Sequence, residues 1–141
     1  MSKQRVLITG GASGIGAAIA QRCRDDGYEP VIIDRIGDGL IADLSDTQAT
    51  AAALEAALAD GPITRLVNNV GMVCPNAADE QSFEELEKVW ALNLRCSLQC
   101  MQALLPGMKE AGFGRIVNMS SRAALGKELR TAYAATKAGL I

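Results

Sequence analysis

A short apolar run, Val6-Leu7-Ile8-Thr9, feeds directly into Gly10-Gly11-Ala12-Ser13-Gly14-Ile15-Gly16, and apolar residues then recur at helical spacing from Ala17 to Arg24. This pattern predicts a strand, a tight turn and a helix. A turn so poor in β-carbons lets phosphate oxygens approach backbone amides at the positively polarised start of a helix. In outline it is a dinucleotide-binding turn, with Gly10, Ser13, Gly14, Ile15 and Gly16 as the candidate contacts.

The rest of the chain keeps the same alternation. Asp26-Gly27 stops the first helix, and Pro30 to Asp34 is a second buried-type strand rich in β-branched residues. Leu40-Ile41-Ala42 is a brief third strand ending in Asp43. Ser45-Asp46-Thr47-Gln48 reads as a capping box with Ser45 as the cap, opening an alanine-rich helix that Asp60-Gly61-Pro62 closes. Arg65 to Asn68 is strand four. Ser82-Phe83-Glu84-Glu85 is a second capping box, starting a helical pattern that runs to about Met108 with Pro106 inside it. Arg115 to Met119 is strand five, and Thr131 to Ile141 reads as a last helix. Short apolar strands alternating with helices predict an α/β fold, a doubly wound parallel sheet of the Rossmann type with about five strands, built as one domain over residues 1–141.

Composition narrows the chemistry. The 141 residues contain no histidine, which excludes the Ser-His-Asp and Cys-His nucleophile systems and every zinc site that needs imidazole. Fourteen basic against sixteen acidic residues leave a formal charge of −2, which argues against a surface generally attractive to nucleic acid or anionic lipid. Cys23, Cys74, Cys96 and Cys100 form no CxxC pair and suit a reducing compartment. Cys96 and Cys100 read as small buried hydrophobes, and no metal is expected. No stretch approaches the ~18 apolar residues of a membrane span, so the expected location is cytoplasmic. Phe83, Trp90 and the leucines of the long helices read as core or subunit packing.

Two constellations carry the chemistry. Asp34 ends the second strand 18 residues beyond Gly16, near the usual distance for an acid that binds the adenosine ribose. A carboxylate there accepts hydrogen bonds from both ribose hydroxyls and repels a 2′-phosphate, which favours NAD(H). The neighbouring Arg35 keeps NADP(H) open, since a guanidinium can recruit that phosphate. Tyr133 and Lys137, four residues apart, share one face if their segment is helical. One cation about 4 Å from a phenol, in a medium of effective dielectric ~20, favours the phenolate by on the order of 4 kcal/mol. With histidine absent, Tyr133 becomes the natural proton carrier.

Thr9-Gly10-x-x-x-Gly14-x-Gly16, Asn68-Asn69-Val70-Gly71, Asn93, the paired serines Ser120-Ser121 and Tyr133-x-x-x-Lys137 occur in that order along nearly the whole chain. In these motifs it resembles the short-chain dehydrogenase/reductase family, in its short form, similar to 3-oxoacyl-carrier-protein reductases. The resemblance implies an oxidoreductase that moves a hydride between NAD(H) and a secondary alcohol or ketone. It implies that Tyr133 exchanges a proton with the substrate oxygen, that Lys137 binds the nicotinamide ribose, that Asn93 holds a relay water and that a serine binds the reacting carbonyl. Counted from Gly114 the serine is Ser121; counted back from Tyr133 it is Ser120. Ser121 is preferred because alternation fixes strand register whereas a loop can lose a residue. Asp43 and Leu44 would flank the adenine, and Asn69 and Gly71 would line the cofactor; Val70 stands where the family usually has alanine. A homodimer or homotetramer is implied by the same resemblance.

The family runs to about 250 residues as one domain, and here the chain stops four residues after Lys137, after five strands. The expectation is therefore the N-terminal part of a longer reductase. The alternative is a short non-catalytic module that binds nucleotide or another subunit.

Overall fold

A computed structural model describes residues 2–141. Among them, β1 (Arg5–Thr9), β2 (Glu29–Asp34), β3 (Leu40–Ile41), β4 (Arg65–Asn68) and β5 (Arg115–Asn118) form one sheet in the order β3-β2-β1-β4-β5. Every neighbouring pair is parallel. The helices between them are α1 (Gly14–Asp25), α2 (Thr47–Leu58), α3 (Phe83–Trp90), α4 (Cys96–Glu110) and α5 (Thr131–Gly139). Strand order reverses at β1, where the chain has wound outwards first through β2 and then through β4. A doubly wound sheet opens its ligand crevice at that reversal, beyond the carboxyl ends of the strands.

Alternation along β1 assigns the two layers. Leu7 points into a core built with Ile33, Leu66, Leu54 of α2 and Cys96, Cys100, Leu104 and Met108 of α4. Val6 and Ile8 point the other way, onto Ala20 of α1 and Val67. Both cysteines of α4 are buried, as small apolar residues would be. Phe83 and Trp90 are not in the core: Phe83 is 83% exposed at the first position of α3, and Trp90 lies outside under the Arg95 guanidinium, 5.7 Å from its ring centroid. The Val117 side chain on β5, which pairs only with β4 among the described residues, is also half exposed.

Element ends differ from the sequence reading in small but explicable ways. The ladder with β1 begins at Glu29 rather than Pro30, because Arg5 opposes Glu29. The capping residue of α2 is Asp46, whose carboxylate accepts from the Ala49 amide at 2.7 Å. Ser45 is unavailable, since its hydroxyl donates to Asp43 Oδ1 at 2.6 Å. The second capping box is present, with Ser82 and Glu85 satisfying each other's amides. The long helix expected from residue 82 onwards is interrupted by a π-helical turn, Ala91–Arg95, between α3 and α4. No helix among the described residues is long and apolar enough to cross a membrane.

Candidate active site

The glycine turn is held from both neighbouring strands. The Gly10 amide donates to the Ile33 carbonyl at 2.9 Å. Just after β4, the Asn69 side-chain amide donates to the carbonyls of Thr9 and Gly10 at 3.0 and 3.2 Å. From β2, the Asp34 carboxylate accepts the Ala12 amide on Oδ2 at 3.0 Å and the Arg35 amide on Oδ1 at 2.7 Å. Thr9 adds a further tie, its hydroxyl oxygen accepting the amides of Asn69 and Val70 at 3.0 and 3.1 Å. The turn is thus preorganised by side chains as well as by its own backbone. α1 then starts at Gly14 with Ser13 as a cap that makes no side-chain bond, and no acidic residue stands in its first turn. Those first amides are the anion-binding end of a helix.

A groove of about 830 Å³ lies over this turn, lined by Gly10, Ser13, Ile15, Asp34, Arg35, Asp43, Leu44, Asn69 and Gly71. The predicted cofactor contacts therefore share one concavity, apart from Gly14 and Gly16, which shape the turn beneath it, and the Tyr133-Lys137 pair. At the far wall, Asp43 Oδ1 accepts both the amide and the hydroxyl of Ser45, which hold its carboxyl below the usual carboxylate range. Gly71 joins the groove to the catalytic candidates: a β-carbon there would stand 3.3 Å from both Asn93 Oδ1 and Lys137 Nζ.

Asn93 sits in the π-helical turn, fully buried. Its Oδ1 accepts the Met72 amide at 2.7 Å, and its Nδ2 donates to the Met72 carbonyl at 3.0 Å and to Thr136 Oγ1 at 3.1 Å. A π-turn often marks a functional position, because the widened ring re-aims one side chain. Here it aims Asn93 across to α5.

On α5, Tyr133 and Lys137 fall on the same face, with the ammonium 5.6 Å from the phenol ring centroid. Lys137 is buried, and its Nζ donates to the Met119 carbonyl at 2.7 Å. Burial holds its ammonium below the usual lysine range. Among the described residues the Tyr133 hydroxyl makes no hydrogen bond. The two serines part company: Ser120 Oγ donates to the Lys137 carbonyl at 2.6 Å, pinning α5 to the end of β5, whereas Ser121 Oγ accepts the Ala123 amide at 3.1 Å and keeps its proton free to donate. The Ala132 amide at the start of α5 donates to Gln81 Oε1 at 3.4 Å. Met72, Met119 and Thr136 were invisible as site residues, since two act through backbone groups and the third through a contact 43 residues away.

The buried ammonium has a measurable consequence. Below its folded-state pKa, Lys137 is charged both folded and unfolded, and the cost of burying it is fully present. As pH climbs past that lowered value towards 10.5, the folded chain loses the proton first. Unfolding free energy should therefore rise with pH in that alkaline window. Urea titrations from pH 7 to 10.5 should show this rise in the wild type and its absence in Lys137→Met. Parallel curves for the two proteins would contradict it.

The sequence profile of the short chain dehydrogenases matches residues 4–141. The chain belongs to that family. Among curated short-chain dehydrogenase relatives, it is 34% identical to a D-threitol dehydrogenase of Mycolicibacterium smegmatis, covering 96% of this chain and 59% of the relative. It is also 34% identical to a 2-dehydro-3-deoxy-L-rhamnonate dehydrogenase (NAD(+)) of Sphingomonas sp., over 96% of this chain and 61% of that one. Among solved structures, a putative NAD(P) dependent gluconate 5-dehydrogenase from Beutenbergia cavernae, with bound NADP at low occupancy, superimposes with a TM-score of 0.92 at 27% identity, covering 99% of this chain and 63% of that one. This short-chain dehydrogenase chain thus spans about six-tenths of the length of the relatives it matches. The doubly wound parallel sheet is the fold this family membership implies.

Proposed function

We propose that the protein transfers a hydride between NAD(H) and a secondary alcohol or ketone of small size. The observation that carries this reading is the junction at Gly71, where the groove over the glycine turn meets the buried Lys137 ammonium and the Tyr133 face of α5. The residues present fit a dinucleotide. The amides at the start of α1 suit a pyrophosphate, the Asp34 carboxylate suits ribose hydroxyls, and Asp43 and Leu44 offer a slot for adenine. When bound, the cofactor supplies or accepts the hydride. Tyr133 gives its proton to the substrate oxygen in reduction and takes it back in oxidation, Lys137 holds the nicotinamide ribose beside it, and Ser121 donates to the reacting oxygen. Asn93 keeps the Met72 corner and α5 in register. Exposed Phe83, Leu98 and Leu105 on α3 and α4 suit a contact with a second subunit.

NAD(H) is the proposed cofactor because the amides of Ala12 and Arg35 fix the Asp34 carboxylate at the groove, where a 2′-phosphate would meet a like charge. Titrating the chain while following nicotinamide fluorescence should show NADH bound on the order of tenfold or more tightly than NADPH. Asp34→Asn should narrow that gap while keeping an acceptor for the Ala12 amide. Equal affinity for the two cofactors would refute the NAD(H) assignment, and affinity for neither would refute the dinucleotide reading. Binding without oxidation of any secondary alcohol would favour a non-catalytic nucleotide-binding module.

A further inference from the structure

The π-helical turn reaches both ends of the groove. Asn93 ties it to Met72 and Thr136 at the proton-transfer end. Two residues on, the Arg95 guanidinium donates to the Ser45 carbonyl at the opposite wall. Leu92 and Ser45 both line the groove between these ties. We propose that Arg95 is a positioning residue for the adenosine half of the dinucleotide, acting through Ser45.

The reasoning starts from what holds the segment 43–46, which runs from β3 to α2 outside any strand pairing. Most of its bonds are internal: Asp43 Oδ1 accepts from the Ser45 amide and hydroxyl, the Asp46 amide donates to the Asp43 carbonyl, and the Asp46 side chain caps α2. Such bonds set the shape of the segment but not its distance from the rest of the groove. Buried Leu44 supplies an apolar anchor, which resists removal but tolerates sliding. The bond from Arg95 is directional and charge-assisted, and it spans 50 residues of sequence. The Trp90 ring, 5.7 Å from the guanidinium carbon, backs the same group from its face, so the donor is held in place before any ligand arrives. Gln99, one turn further along α4, repeats the tie at the exposed Thr47 carbonyl, 2.7 Å away. Asn93 and Arg95, two residues apart, leave opposite sides of one short piece of backbone, so this turn links the two walls of the groove.

This inference rests on the groove being a dinucleotide site, and the test separates the two. Arg95→Met keeps the apolar stem against Trp90 and removes the donors; Arg95→Lys keeps one. NADH binding is followed by nicotinamide fluorescence, ADP-ribose binding by displacement of NADH, and local opening by hydrogen exchange of the amides of residues 44–46. Arg95→Met should weaken NADH about tenfold and ADP-ribose by the same factor, because the lost contact concerns the half they share. Exchange at residues 44–46 should quicken about tenfold while Leu66 to Asn68 in β4 stay protected. Arg95→Lys should recover most of both effects. Unchanged NADH affinity in Arg95→Met, a smaller loss for ADP-ribose than for NADH, or faster exchange in β4 as well would each overturn the role of Arg95. A wild-type chain that binds neither ligand would overturn the dinucleotide reading itself, a pattern none of the other outcomes produces.

Discussion

Gly16→Ala should remove dinucleotide binding and cost the fold about 3 kcal/mol, at the upper end of what overpacking one site usually costs. A β-carbon at residue 16 would lie 2.1 Å from the Gly10 carbonyl oxygen and 2.6 Å from Asn69 Nδ2. Neither neighbour is a flexible tip. The Gly10 backbone has φ +68° and is tied by its amide to Ile33, and the Asn69 amide is already spent on the carbonyls of Thr9 and Gly10. Relief requires the turn to pull away from β4, which opens the amide cradle that a pyrophosphate would use. Gly14 is the informative contrast in the same motif. Its φ is +55° but a β-carbon there meets nothing within 4 Å, so Gly14→Ala carries only a conformational cost of about 1 kcal/mol. Urea unfolding and NADH titration of both variants read the two effects separately. At least a hundredfold loss of NADH affinity is expected for Gly16→Ala, and retention within threefold of wild type would show that space at this position is not what the turn needs.

That contrast also marks how far the sequence could be read. Spacing alone placed Gly14 and Gly16 in one turn between β1 and α1, and Asp34 at the end of the next strand, because strand and helix periodicities are local and glycine is required wherever backbones close up. Which glycine is needed for its φ and which for room depends on Asn69, 53 residues further on, and no local pattern carries that. The same divide runs through the site. Tyr133 and Lys137 share a helix face by simple spacing. The partner of Lys137 is the Met119 carbonyl, which belongs to a strand end and has no side-chain signature. Counting from Gly114 and counting back from Tyr133 choose different serines and strand register favours Ser121; the docking of α5 on β5 engages Ser120 with the Lys137 carbonyl and leaves Ser121 with a proton to give. Ser45 matched a capping box by residue type, yet Asp46 takes the cap because Asp43 has already claimed the serine hydroxyl. The π-turn is the clearest omission: apart from Asn93, a poor residue for a helix interior, Ala91-Leu92-Asn93-Leu94-Arg95 consists of ordinary helix formers, and the widened ring accompanies the reach of Asn93 to Met72.

Tyr133→Phe should lower turnover of a secondary alcohol by about a thousandfold, within the 10²–10⁴ that a positioned acid or base contributes, while NADH affinity stays within threefold and stability is unchanged. The separation follows from geometry. The hydroxyl makes no hydrogen bond among the described residues, so its removal leaves no protein group without a partner, and the ring that remains still packs beside the Lys137 ammonium. Lys137 itself is anchored by Met119 and its helix by Ser120, so the cation does not drift when the oxygen goes. In the proposed reaction, what disappears is the single proton that travels with the hydride, and residues 1–141 hold no histidine to replace it. Lys137→Met should give the complementary result, losing turnover and cofactor affinity together, because the proposed role of the ammonium is to hold the ribose while standing beside the phenol. Measuring kcat and KM for the alcohol alongside NADH titration distinguishes the two variants. Should Tyr133→Phe keep more than a tenth of wild-type turnover, or lose cofactor affinity in proportion to rate, the phenol would be a packing element and the proton would have to come from elsewhere in the groove.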